Sequence, residues 1–200
     1  MTNLDVASQS KPHICNYRVS DLIEELVTIG LPEKKANYHS RQIFRWIYQR
    51  KVTSFDAMTD LSKVVRAHLN EKFSLEYMPC VSQQKSVDGT QKFLWKLTDG
   101  KTIESVLIPA DDRLTICISS QVGCAMGCKF CLTGTMGLMR NLEVHEIVRQ
   151  VLQLSTISNI TNIVFMGMGE PLHNLDHVCR AIEILLSQDG LNFSKRKVTV

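Results

Sequence analysis

Three thiols fall within eight residues, at Cys124, Cys128 and Cys131, with the spacing C-x3-C-x2-C. A structural zinc site is closed by four ligands. An iron–sulfur cube held by only three cysteines leaves one iron without a protein ligand, and that open iron can bind and activate a substrate. A second chemical stretch lies one βα unit later, where Gly167-Met168-Gly169-Glu170-Pro171 follows an apolar segment. Glycines there let backbone amides approach a ligand closely, and the Glu170 carboxylate can accept from an amine. Taken alone, the stretch also reads as a tight turn with a helix-capping role.

The elements that must position these groups follow from periodicity. Residues 114–119 read as a strand leading into the thiols, and 162–166 as the apolar strand before Gly167. Residues 143–154 form an amphipathic helix between them, a second helix spans 175–186, and 197–200 begin another strand. Strand, helix, strand, helix, strand is the grammar of a parallel α/β barrel or open sheet, in which chemistry sits at the C-terminal strand ends. A strand ending at Val200 leaves such a sheet incomplete, so the chain reads as a truncated copy of a longer protein.

Upstream, the period is two. Segments 81–85, 91–97 and 102–108 alternate around Asp88-Gly89 and Asp99-Gly100, which predicts a three-stranded antiparallel meander. Before it, residues 19–73 read as helices, with a cap at Ser20-Asp21, a break at Gly30 and Pro32, a second helix carrying Ile43, Phe44 and Ile47, and a third over 61–69. The expected divisions are a flexible start over 1–18, a helical unit over 19–74, a β extension over 75–110 and the barrel part over 111–200. The fold class is therefore α/β, a partial (β/α) barrel preceded by a small meander and an N-terminal helical domain.

Composition is that of ordinary globular material, 44% hydrophobic and 22% charged, with a net charge of +3. The charge is uneven: between Lys34 and Lys72 lie nine Lys or Arg against Asp56, Asp60 and Glu71. Such a basic helical part suits a phosphate-rich partner, or is simply a solvated face. A polar start and the absence of any long apolar run argue for a soluble, cytoplasmic protein. Seven scattered or clustered cysteines do not form a disulfide framework, and thiolate ligation suits a reducing compartment.

Compact C-x3-C-x2-C after a strand resembles the radical S-adenosylmethionine (SAM) superfamily. The resemblance narrows with Ser119-Ser120-Gln121-Val122-Gly123-Cys124, Cys128-Lys129-Phe130-Cys131, Arg140-Asn141-Leu142 and Phe165-Met166-Gly167-Met168-Gly169-Glu170-Pro171-Leu172. Together these strings are similar to the RlmN/Cfr family of RNA methyltransferases, whose members methylate ring carbons of adenine. The resemblance implies a 4Fe–4S cluster on Cys124, Cys128 and Cys131, SAM held at Gly169 and Glu170, and 23S rRNA and tRNA as substrates. It further implies a flavodoxin-type electron donor, a monomer and no membrane association. An amidine carbon such as adenine C2 is not nucleophilic, so a radical route with two SAM molecules and a methylated cysteine is the implied scheme.

On the same resemblance Glu104 takes the position of the proton acceptor, and Cys117 that of the resolving cysteine, which forms a transient disulfide. Without it, Glu104 is an exposed strand carboxylate and Cys117 a small core residue. The methyl-carrying cysteine, a serine and an asparagine of the family fall beyond Val200, which predicts a piece unable to turn over. Cys15, Cys80 and Cys179 are assigned to packing or loops, with Cys179 among core-facing helix residues. His145 is read as helix surface and His173 as loop. The rival readings are a C8-specific sister enzyme, an inactive RNA-binding remnant and a zinc-stabilised module; the last needs a fourth close ligand.

Overall fold

Polar residues set the helix ends of the N-terminal unit before apolar ones pack it. The computed structural model describes residues 11–200. Helix α1, Val19–Thr28, starts one residue ahead of the Ser20-Asp21 cap expected from sequence, because Asp21 lies at the third helical position and accepts from the Arg18 backbone N–H. Gly30, at φ +87°, ends it. After Pro32, α2 runs Glu33–Tyr48, and α3, Lys63–Lys72, is capped by Ser62, whose hydroxyl accepts from Val65 N–H. Leu22 and Leu26 of α1, Ile43, Phe44 and Ile47 of α2, and Val65 and Leu69 of α3 are buried together.

The start expected to be loose is otherwise where it is described. Residues 1–10 lie outside the described residues, while Pro12 and Ile14 bracket Ser74 through two backbone hydrogen bonds of 3.0 Å. His13, Ile14 and Cys15 are buried. Arg149, on the far side of the chain and itself fully buried, explains this order: its guanidinium donates to the Leu75 carbonyl at 2.6 Å and lies beside the His13 ring.

Turn chemistry builds the meander as its sequence asks. Strands β1 (Cys80–Lys85), β2 (Gln91–Lys96), β3 (Thr102–Ala110) and β4 (Arg113–Cys117) pair antiparallel in order. Asp88 and Asp99 each accept from the backbone N–H two residues on, before or across a glycine of positive φ. The sheet does not stop there. β4 pairs in parallel with β7 (Asn162–Val164), and β7 with β8 (Val198–Thr199), giving one six-stranded sheet in the order β1-β2-β3-β4-β7-β8. The extension expected over 75–110 is thus continuous with the barrel strands.

Between β4 and β7 the chain makes a separate hairpin, β5 (Gln121–Cys124) with β6 (Gly137–Asn141), around the one-turn helix α4 (Leu132–Thr135). Helix α5, Val144–Leu154, follows, and α6, Leu175–Leu186, connects β7 to β8. Burial of α5 is nearly complete, since the sheet covers one side and the N-terminal unit the other. Alternation within the strands then sorts the sheet. Ile103, Ser105, Leu107 and Ile116 are buried on one face, while Leu94, Glu104, Val106, Cys117 and Val164 are half-buried on the other. No helix among the described residues is long and apolar enough to cross a membrane.

Candidate functional site

Register places Glu104 and Cys117 on the same half-buried face. Val106 of β3 is directly opposite Cys117 of β4, and Glu104 is two residues from Val106, so the two side chains are diagonal neighbours across the strand pair. Glu104 is partly exposed and pairs with Lys92 of β2 at 3.1 Å. Burial pushes the Cys117 thiol above its ordinary range, against a smaller opposing effect from the Met166 backbone. It is a free thiol, as are all seven cysteines.

At the C-terminal ends of β4 and β7, two backbone segments are stitched together. Ser120 and Gln121 N–H groups both donate to the Met168 carbonyl, and Gly167 N–H donates to Ile118 O. The Ser119 hydroxyl accepts from Met168 N–H at 2.9 Å and donates to the Glu104 carbonyl at 2.7 Å. Gln121, fully buried, accepts from Glu170 N–H and donates to Asn141. Contact is so close that a Cβ on Gly169 would lie 2.5 Å from Gln121 Cβ, and one on Gly167 2.7 Å from the Ile118 oxygen. Gly169 also has φ +99°, which side chains other than hydrogen rarely adopt. Glu170 caps the short 3₁₀ turn Pro171–Asn174 by accepting from Leu172 N–H, so the capping role weighed in the sequence is present in the structure.

The thiol loop leaves β5 at Cys124, which pairs with Gly137 of β6. Gly123 has φ +76° and is pressed against the Gly137 carbonyl, where no Cβ fits. Cys124 is buried, Cys131 half-buried and Cys128 exposed. Backbone amides of Gly134, and secondarily Thr133, hold the Cys131 thiol below its ordinary range, which favours the thiolate a metal needs. Among the described residues no three His, Cys, Asp or Glu side chains are grouped closely enough to hold a metal ion, so the three thiols share one loop without converging on a point. Phe130 and Leu132, beside them, are 94% and 82% exposed.

Two strings quoted for resemblance acquire roles that spacing does not reveal. Arg140 forks onto Glu146 of α5 and also donates to Asp99 at the β2–β3 turn, tying the hairpin to helix and sheet. Ser119 and Gln121 form the seam just described; their only signal in the sequence is polarity next to the strand end. Two assignments are corrected. Cys179 is exposed rather than core-facing, because α6 turns Val178 and Ala181 inward. His145 is largely buried, stacked on His13 with ring centroids 4.4 Å apart.

Residues 22–75 match the ribosomal RNA large subunit methyltransferase N-terminal domain, and residues 118–200 match the radical SAM superfamily. The chain is 54% identical over 178 residues to the dual-specificity RNA methyltransferase RlmN of Geobacter sulfurreducens, covering 89% of this chain and 49% of that protein. The chain belongs to the RlmN family of radical SAM proteins. RlmN 2 of Myxococcus xanthus is 48% identical over 192 residues, covering 90% and 50%. A crystal structure of a radical SAM methyltransferase from Sphaerobacter thermophilus superposes with a TM-score of 0.83 at 41% identity, covering 94% of this chain and 56% of that one. The chain spans about half the length of the curated RlmN relatives it matches.

RlmN membership implies a 4Fe–4S cluster and SAM as cofactors. The donor chemistry fits: three thiols on one loop, one buried, one exposed and one held below its ordinary pKa. The cradle at Gly167 and Gly169, with Glu170 at its rim, sits at the strand ends where a ligand is expected in such a sheet.

Proposed function

We propose that this chain is part of an enzyme that methylates carbon 2 of adenine in 23S rRNA and in the tRNA anticodon loop through a methyl-cysteine intermediate. The observation that carries the reading is the shared face of Glu104 and Cys117, joined to the loop bearing Gly169 and Glu170 through the Ser119 hydroxyl between Glu104 O and Met168 N–H. In this reading the cluster and SAM, when bound, supply the one-electron chemistry that a non-nucleophilic ring carbon requires. Cys124, Cys128 and Cys131 hold the cluster, and Gly169 and Glu170 the SAM amino group. Glu104 accepts the proton that the ring carbon loses, and Cys117 resolves the protein–RNA adduct by forming a disulfide. Carbon 2 rather than carbon 8 rests on the resemblance of residues 165–172 to RlmN.

RNA contact by the N-terminal unit rests on fewer cations than the sequence count suggests. Arg41 and Arg45 both bind Asp189, Arg66 and Lys51 donate to backbone carbonyls, Arg50 stacks on Trp46, and Lys72 pairs with Glu25. Among the described residues, Lys34, Lys35 and Lys63 are the cations of this run that no such contact holds, and we assign them to phosphate contact.

The test is anaerobic iron–sulfur reconstitution of the protein and of Cys128→Ala, with spin resonance before and after SAM. Expected is a four-iron signal that needs Cys128 and changes with SAM. Stoichiometric zinc in place of iron would sink the reading. Analysis of methylated RNA for 2-methyl- against 8-methyladenosine then separates the two regiochemistries.

A further inference from the structure

The seam at Ser119 has a second support, from outside the sheet. Gln150 of α5 is fully buried and uses its whole amide. Its Oε1 accepts from Ser119 N–H and from the Ser105 hydroxyl, each at 2.8 Å. Its Nε2 donates to the Ser119 carbonyl at 2.9 Å and to the Glu146 carbonyl at 3.1 Å. Ser105 is in turn fixed by the indole N–H of Trp95 at 3.0 Å.

Physical necessity explains the residue type. Ser119 lies just past β4, where the β3–β4 ladder has ended at Val106 and Cys117, yet it is fully buried. Its backbone N–H and C=O have no strand partner, and a buried backbone group left unpaired is destabilising. Among neutral side chains an amide offers a donor and an acceptor side by side, so Gln150 replaces the missing strand. Both lone pairs and both N–H groups are used, which leaves the amide one orientation.

We infer that Gln150 is a positioning residue for the cofactor loop: by clamping the Ser119 backbone it aims the Ser119 hydroxyl, which joins Met168 N–H to the Glu104 carbonyl. Through that hydroxyl, one buried amide sets the spacing between the loop bearing Gly169 and Glu170 and the strand bearing Glu104. The inference rests on the reading of Gly169 and Glu170 as the SAM contact. It assigns Gln150 no contact with substrate or cofactor.

The experiment compares the cluster-loaded protein with Gln150→Met, Ser119→Ala and the double variant. SAM affinity is read from the spin-resonance change, iron content from stoichiometry, and folding from the melting curve. Expected is at least a tenfold weaker SAM affinity in each single variant at unchanged iron content, with the double variant no weaker than the worse single, since both act through one hydroxyl. Parent-like SAM affinity in the single variants overturns the inference and leaves the reading of the loop standing. A parent protein that binds iron but shows no response to SAM overturns the reading and the inference with it. If Gln150→Met lacks a cooperative melt, hydrogen exchange at the Met168 amide in Ser119→Ala decides: protection lost at least tenfold supports the link, and unchanged protection overturns it.

Discussion

Arg140 meets Glu146 through two parallel hydrogen bonds, Nη1 to Oε2 and Nη2 to Oε1, each 2.8 Å long. The Glu146 side chain is only 4% exposed, so this fork neutralises a carboxylate that has little access to water. Because Arg140 sits on β6, the strand that pairs with the thiol-bearing β5, the same contact anchors the thiol hairpin to α5. Arg140→Ala leaves that carboxylate without a counter-charge, and urea unfolding should show a loss of about 2–4 kcal/mol. Arg140→Lys should recover part of it, because a lysine supplies charge without the fork.

Asp99 gives the same contact a pH signature. The Arg140 hydrogen bond, above all, holds the Asp99 carboxyl at about 2 against its ordinary 3.8. A carboxylate with a depressed folded pKa stabilises fully above the unfolded value and loses that contribution as pH falls toward the folded one. Unfolding midpoints of the parent should therefore drop more between pH 4 and pH 2 than those of Arg140→Ala. Equal slopes for the two proteins would show that Arg140 does not hold Asp99.

The opposite ionic type controls the upper acid range. Burial, then the Arg149 charge, then His145 lower the His13 pKa from 6.5 to about 2. The folded ring stays neutral where the unfolded one takes a proton. Stability from this site is thus complete above about pH 6.5 and is lost as pH falls from there toward 2, at about 1.4 kcal/mol per pH unit. His145, stacked on His13, is lowered as well, by burial first. Urea midpoints at pH 7.5, 6 and 5 should fall accordingly. His13→Gln, which keeps an acceptor for Arg149 and removes the titrating ring, should flatten the curve.

How much of this was legible in the sequence depended on where each residue's partner lies. Hairpin turns and helix stripes are local, so the meander, α5, α6 and the strand end before Gly169 read out correctly, whereas the thiols, expected straight after the strand over 114–119, leave the separate strand β5. The β5–β6 hairpin was missed because its second strand, with Leu138 and Met139 about half exposed, shows no alternation. Gln150 carries no signal in the sequence, since its partner Ser119 is 31 residues away. His13, Arg149 and Asp189 were equally silent, because a buried polar group announces itself only through the distant group that satisfies it. The basic N-terminal run overstated its free charge for the same reason.

Asp189 makes that last point testable. Its side chain, 8% exposed, accepts from Arg41 Nη1 and Arg45 Nε at 2.7 Å each, and so pins α2 to the turn after α6. Both arginines are more than half exposed, so in Asp189→Ala they return to water at little cost. The loss of stability should be about 1–2 kcal/mol, well below that of Arg140→Ala. Amides of residues 187–193 should exchange faster while those of α5 keep their protection.

Glu104 separates chemistry from stability most sharply. Its side chain is 40% exposed, and its partner Lys92 is 43% exposed, a pair worth less than about 1 kcal/mol. Nothing in the packing asks for a carboxylate there, since Leu94 and Val106 are its neighbours on the face. Glu104→Gln should therefore leave the melting temperature, iron content and SAM response at parent values. In the intact enzyme, proton acceptance by this carboxylate predicts a fall of at least a hundredfold in methyladenosine formation, with covalent protein–RNA adduct accumulating on denaturing gels. Parent-like product yield in Glu104→Gln would remove the carboxylate from the reaction and return it to the role of a surface strand residue.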